Sequence, residues 1–175
     1  MFPERKCEKS MKSIFLCGFM GCGKSTIGKL LAEMLNCEFF DMDEYIVHKE
    51  KKQIPEIFAE KGEQYFRETE TAVIKELSKA NGVIACGGGA MLKKENSEIA
   101  SENGIVVYIE APFELCYSRI SGDKNRPIVM NNTKEELNFI YDSRIPLYKE
   151  HSSVTVSGNG TPKEIAESIA KIVNE

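Results

Sequence analysis

The chain has 175 residues, of which 42% are hydrophobic and 29% charged, a balance typical of folded globular proteins and unlike that of disordered chains. Its formal net charge of −4 at pH 7 provides no general basic field, which argues against nucleic acid or an anionic membrane surface as a partner. No apolar stretch is long enough to cross a bilayer, so we expect a cytoplasmic protein.

The predicted elements begin after residue 10, because residues 1–10 show no apolar pattern and are expected to form a flexible tail. A single domain is expected from residue 11 to residue 175. Its strands are predicted at residues 13–17, 38–41, 83–86, 104–109 and 153–156. Its helices are predicted directly after the first strand, as two or three segments within 43–80, at 133–148 and from about Pro162 onward.

The predicted strands are almost continuously apolar, as in a parallel sheet that is covered on both faces. Strands that alternate with helical stretches indicate βαβ crossovers between helical layers. We therefore predict an α/β fold with a mostly parallel, five-stranded sheet. Ligands are expected at the carboxyl ends of its strands.

The segment GFMGCGKS, residues 18–25, fits the pattern GxxxxGK[ST] and lies between the first strand and the first helix. Backbone N–H groups of such a P-loop converge on phosphates, Lys24 reaches the β and γ oxygens, and the Ser25 hydroxyl ligates Mg²⁺. A glycine-rich turn that binds nothing is the alternative. The absence of NKxD and DxxG motifs from the sequence disfavours a GTPase. The predicted nucleotide-binding residues of the loop are Gly21, Cys22, Gly23, Lys24, Ser25 and Thr26.

Two acidic residues, Asp41 and Asp43, follow the second predicted strand and therefore lie at the ligand-binding edge of the sheet. Their side chains alternate in direction, so one carboxylate can serve a metal and the other a substrate. For Asp43 alone, a helix N-cap is the competing interpretation.

Three glycines at residues 87–89 follow the third predicted strand, where a backbone could approach a ligand closely or only form a tight turn. Three arginines occur in separate segments, at Arg67, Arg126 and Arg144. Each could be an ordinary surface residue. They indicate an anion site only when they are considered together.

Several motifs occur in a fixed order along the chain: IFLCGFMGCGKST, FDMD, GExxFRxxE at residues 62–70, VIACGGG, NRP and SRIPLY. Through these motifs the sequence resembles the shikimate kinase family from residue 11 to its end. Gluconate-type kinases share several of these motifs but not the whole set. A gluconate-type kinase and a non-catalytic nucleotide-binding protein are the alternative functions.

The resemblance implies transfer of the γ-phosphate of ATP to the 3-hydroxyl of shikimate, in chorismate and aromatic amino acid biosynthesis. It implies a three-layer P-loop NTPase-type sandwich, with substrate-binding helices within residues 43–80 and a mobile lid at 119–132. It also implies a monomer that uses Mg²⁺ and has ATP and shikimate as its small-molecule partners. Since residues 157–162 offer no basic side chain, we expect only backbone contacts to adenine there.

The resemblance also implies roles for individual residues. Asp43 would accept the proton of the attacking hydroxyl, while Lys24 and Arg126 would stabilise charge on the transferring phosphoryl group. Arg119 either stacks on adenine or only ends a helix. The implied shikimate-binding residues are Asp43, Arg67, Gly87, Gly88, Gly89 and Arg144; Arg119 and Arg126 join the nucleotide site; Ser25 and Asp41 hold the metal, Asp41 through water.

Overall fold

The computed structural model describes residues 11–175, so the predicted tail at residues 1–10 lies outside the described residues. The strands are β1 Ser13–Cys17, β2 Phe39–Asp41, β3 Val83–Ala85, β4 Gly104–Glu110 and β5 Val154–Ser157. The helices are α1 Lys24–Met34, α2 Met42–Glu50, α3 Ile54–Leu77, α4 Lys94–Asn103, α5 Phe113–Ile120, α6 Pro127–Met130, α7 Lys134–Glu150 and α8 Pro162–Asn174, and a short 3₁₀ helix spans Ala90–Leu92.

The five strands form one sheet in the order β2-β3-β1-β4-β5, and every neighbouring pair is parallel. The predicted α/β fold is confirmed, and its sheet is parallel throughout the described chain rather than mostly so. The chain leaves β1 toward β2 and leaves β3 toward β4, on the other side of β1. A crevice at the carboxyl ends of β1 and β3 follows from this change of direction.

The core lies on both faces of the sheet, and all residues of β1 and β3 are buried. This burial explains why these strands are continuously apolar in sequence. The amphipathic helices α1 and α8 pack against each other. None of the helices in residues 11–175 is long and apolar enough to span a bilayer. The expected cytoplasmic location stays a prediction.

Helices α4, α5 and α6 lie outside the helical segments predicted from the sequence. Helix α4, KENSEIASEN, buries Asn96, Ser97 and Ala100 instead of a stripe of large apolar side chains, so its sequence lacks the usual helical signal. The Asn96 side-chain amide donates a hydrogen bond of 2.8 Å to the Ala90 carbonyl and ties the helix to the 3₁₀ turn. A tertiary contact thus helps to fix its position.

Helices α2 and α3 occupy the segment in which two or three helices were predicted. Helix α3 is two helices joined at Gly62, whose backbone is non-helical, with φ 83° and ψ 170°. Only glycine adopts this combination readily. The kink precedes the part of α3 that carries Arg67 toward the carboxyl edge of the sheet.

Candidate active site

A pocket of about 710 Å³ opens at the carboxyl edge of the sheet, beside the ends of β1, β2 and β3. Cys22 is the one predicted site residue that does not line it, and this side chain is buried, with 1% exposure. The others all do: Gly21, Gly23, Lys24, Ser25, Thr26, Asp41, Asp43, Arg67, Gly87, Gly88, Gly89, Arg119, Arg126 and Arg144.

The P-loop, residues 18–25, turns directly from β1 into α1. Gly23 caps the helix with a left-handed backbone, φ 102° and ψ 14°. The ammonium of Lys24 donates to the carbonyls of Gly18 at 2.7 Å and Phe19 at 3.1 Å. The positive charge and the helix N-terminus therefore occupy the same small region, as an anion site requires.

The two predicted metal ligands contact each other. The Ser25 hydroxyl donates to Oδ2 of Asp41, while Oδ1 of Asp41 accepts from the backbone N–H groups of Asp43, at 3.0 Å, and Glu44, at 3.2 Å. Asp41 is therefore the N-cap of α2. The competing cap interpretation had been applied to Asp43, which instead lies in the first turn of the helix.

Asp43 lies close to both acidic and basic side chains of the pocket. Burial raises its pKa above the ordinary range, and the nearby Asp41 carboxylate adds to the increase. The positive charges of Arg126, Lys24 and Arg67 oppose it. A carboxylate with a raised pKa among cations from three segments of the chain is suited to accept a proton.

Arg67 is held by a residue to which the sequence analysis gave no role. Its Nη1 donates to Oε2 of Glu70 at 2.7 Å, and its Nη2 donates to Glu63 at 3.3 Å. Glu70 is buried, and burial raises its pKa to about 7 although Arg67 opposes the increase. Its sequence signals were its place at the end of the GExxFRxxE motif and its spacing of three residues from Arg67, which places both side chains on one helix face.

The glycine turn, residues 87–90, is packed closely by charged side chains. A Cβ atom on Gly87 would lie 2.8 Å from Oε1 of Glu70 and 3.0 Å from Oδ1 of Asp43. A Cβ atom on Gly89 would lie 2.8 Å from Cζ of Arg67. A side chain at either position would displace one of these charged groups, so the glycines leave room for them and offer their backbone to the pocket.

Arg144 approaches the same turn from α7. Its side chain is mostly buried and lies over the ring of Phe19, with Cζ 5.9 Å from the ring centroid. Its Nη1 is 3.9 Å from the place where Gly88 would carry a Cβ atom. Guanidinium groups from α3 and α7 therefore meet at two consecutive glycines.

The predicted lid, residues 119–132, contributes two arginines to the pocket. Arg119, in the last turn of α5, donates from Nη1 to the Gly21 carbonyl of the P-loop at 2.9 Å. Arg126 donates from Nε to Asp123 at 2.9 Å, and its charge opposes the rise that burial causes in the pKa of Asp43. Arg119 thus ends a helix and also reaches the P-loop, while stacking on adenine stays a prediction.

Comparison with known proteins gives matches over nearly the whole chain. A family model described as shikimate kinase matches residues 20–174. The shikimate kinase of Persephonella marina is 40% identical over 161 residues, which cover 91% of this chain and 97% of that protein. That of Clostridium botulinum is 42% identical, with coverages of 91% and 96%.

Comparison with solved structures also finds shikimate kinases. A shikimate kinase from Acinetobacter baumannii, in complex with shikimate, superposes with a TM-score of 0.89 at 40% identity and covers 94% of this chain and 93% of its own. The enzyme from Aquifex aeolicus gives 0.81 at 36% identity, with coverages of 93% and 97%. An APS kinase from Mycobacterium tuberculosis, at 12% identity and a TM-score of 0.58, shares the fold alone.

Proposed function

The chain belongs to the shikimate kinase family, and we propose that it transfers the γ-phosphate of ATP to the 3-hydroxyl of shikimate, giving shikimate 3-phosphate and ADP. The observation that carries the proposal is the meeting of Arg67 and Arg144 at the glycine turn, next to the Asp43 carboxylate. A carboxylate clamp and a proton acceptor are the two features that a hydroxy acid requires of a kinase.

On the nucleotide side, the P-loop binds the phosphates of ATP. The Lys24 ammonium now donates to loop carbonyls. When ATP binds, the ammonium exchanges these acceptors for phosphate oxygens. Arg126 adds a second positive charge from the lid, and the two together stabilise the charge that develops on the transferring phosphoryl group.

Magnesium fits the oxygen ligands that are present. Ser25 and Asp41 offer a hydroxyl and a carboxylate that already touch, and these are hard ligands of the kind Mg²⁺ prefers. Within residues 11–175, no three His, Cys, Asp or Glu side chains form a metal cage. An ion that arrives with ATP and keeps several waters needs no such cage. When bound, it neutralises charge on the phosphates.

On the acceptor side, the carboxylate of shikimate pairs with the guanidinium groups of Arg67 and Arg144. Asp43 accepts a hydrogen bond from the attacking hydroxyl and takes its proton as the oxygen bonds to the γ-phosphorus. The bond between that phosphorus and the bridging oxygen breaks at the same time, and ADP leaves. Since one chain supplies the P-loop, both arginines and the base, we propose that it acts as a monomer.

The test is a coupled assay with Mg·ATP and a panel of hydroxy acids that includes shikimate and gluconate, with the product identified by phosphorus NMR. We expect turnover with shikimate and a product phosphorylated at the 3-hydroxyl. Turnover with gluconate alone would favour the gluconate-type alternative. Binding of ATP without turnover on any acceptor would favour a non-catalytic protein.

A further inference from the structure

The glycine turn has a defined type. The Ala90 N–H donates to the Gly87 carbonyl at 3.1 Å, which closes a β-turn over residues 87–90. Gly89, its third residue, has φ −99° and ψ −7°, close to the values of a type I turn. Gly88 is not among the glycines with positive φ.

The amino acids of this turn do not select that type. A type II turn needs positive φ at its third residue, and glycine accepts this without steric cost. The two types differ by a rotation of about 180° of the central peptide, which here joins the Gly88 carbonyl to the Gly89 N–H. An interaction from outside the turn must therefore decide the direction of this peptide.

Tyr148 supplies that interaction. Its hydroxyl donates a hydrogen bond to the Gly88 carbonyl. The side chain is buried, and its ring stacks on Tyr108, with centroids 5.2 Å apart and planes 24° from parallel. If the central peptide turned over, the hydroxyl of this buried side chain would lose the Gly88 carbonyl as its acceptor, which is costly.

The peptide that Tyr148 holds lies between the two arginines of the acceptor site. Arg144 approaches Gly88, and Arg67 packs against Gly89. Tyr148 follows Arg144 by one turn of α7, and its hydroxyl also interacts directly with the Arg144 guanidinium. A change in shikimate affinity can therefore reach the site through the arginine as well as through the turn, and the NMR readout below reports on the turn alone. A reversed peptide would present the opposite end of its dipole to the pocket, between the groups that bind a carboxylate.

We propose that Tyr148 is a positioning residue: its hydroxyl keeps the Gly88–Gly89 peptide in the type I direction and thereby sets the backbone wall of the acceptor site. The link to acceptor binding rests on the function proposed above. The state of the turn itself does not depend on it.

The test compares Tyr148→Phe with Tyr141→Phe. Both changes keep the ring and remove one hydroxyl. Tyr141 is also a buried residue of α7, and its hydroxyl donates to the Ala111 carbonyl at 2.7 Å. The control therefore loses the same kind of hydrogen bond away from the glycine turn.

Calorimetry and steady-state kinetics provide the functional comparison. In Tyr148→Phe we expect the Kd for shikimate to rise by about three- to tenfold, the worth of one net hydrogen bond, with the Kd for ATP and kcat at saturating shikimate nearly unchanged. Tyr141→Phe should leave shikimate affinity unchanged. An unchanged shikimate Kd in Tyr148→Phe, or an equal rise in both variants, would overturn the proposal.

NMR of the Gly89 amide gives a readout that needs no substrate. We expect a single sharp resonance in the parent protein and in Tyr141→Phe, and a broadened or doubled one in Tyr148→Phe as the peptide samples both directions. An unaltered Gly89 resonance in Tyr148→Phe would overturn the proposal. If the parent protein does not bind shikimate, the proposed function fails, and this spectrum still decides the role of Tyr148 in the turn.

Discussion

Arg67 and Glu70 form an ion pair of 2.7 Å whose two ends face different surroundings. Both side chains line the pocket, but the arginine is 26% exposed and the glutamate only 1%. A charged hydrogen-bond partner buried behind the guanidinium restricts the directions in which it can point. Burial disfavours the charged form of the Glu70 carboxylate, and the raised pKa of Glu70 reflects this free-energy cost.

The first prediction concerns stability against pH. The pKa of Glu70 rises from 4.5 to about 7 on folding, so between these values the folded protein holds a proton that the unfolded chain releases. Stability should therefore fall as pH rises through this window, by on the order of 2–3 kcal/mol from this residue. Urea unfolding of the parent and of Glu70→Gln across the window measures it. The Gln variant should show the shallower slope, and equal slopes would contradict the assignment.

The second prediction concerns the proposed base. Asp43→Asn keeps the shape of the side chain but cannot accept the proton, so single-turnover rates should fall by about 10²- to 10⁴-fold. Because burial raises the pKa of Asp43, a neutral side chain is tolerated there, and the melting temperature should not drop. Near-normal turnover in Asp43→Asn would remove Asp43 as the base.

The third prediction concerns the carboxylate clamp. Arg144→Ala should weaken shikimate binding by roughly 1.5–3 kcal/mol, one to two decades in Kd, and leave ATP affinity nearly unchanged. Arg67→Ala should do the same and, above about pH 7, also lower stability, because it leaves an ionised Glu70 buried without its cation. Adding Glu70→Gln to Arg67→Ala should recover stability but not affinity. Calorimetry that finds intact shikimate affinity in both single variants would exclude the clamp.

The fourth prediction concerns the lid. Arg126→Ala should depress kcat far more than shikimate affinity, since its proposed role is to stabilise charge on the transferring phosphoryl group. Asp123→Asn is the matched variant, because it weakens the 2.9 Å ion pair but keeps the guanidinium. Its kcat should stay much closer to that of the parent. An Arg126→Ala protein that keeps kcat and loses only shikimate affinity would assign this arginine to the acceptor site.

Some parts of the site could be predicted from the sequence, because the same short segment determines both the backbone conformation and the chemical groups that the site needs. The P-loop needs glycines, a lysine and a serine at fixed spacing, and each has both a backbone and a chemical reason. The pair Asp41 and Asp43 was placed correctly at a strand end, but that Asp41 caps α2 is seen only from its hydrogen bonds to the first-turn N–H groups. Spacing alone does not determine that division of roles.

Other features depend on contacts between distant parts of the chain. Glu70 was visible in the motif, but its burial behind Arg67 follows only from the packing of α3 against the glycine turn. Arg119 reaches Gly21, 98 residues away in sequence. Such pairings leave no periodic signal in the sequence, so their partners emerged only with the fold.

Gly62 has a practical consequence for anyone who redesigns this protein. A side chain there would meet no atom within 4 Å, so a survey of free space would select it as a harmless site for mutagenesis. Its backbone, at φ 83° and ψ 170°, nevertheless lies in a region that is essentially reserved for glycine. Replacement of Gly62 would strain the backbone at the bend in α3 even though the new side chain contacts no neighbour. In a saturation mutagenesis library, we therefore expect most substitutions at Gly62 to be destabilising, although the position is surrounded by free space.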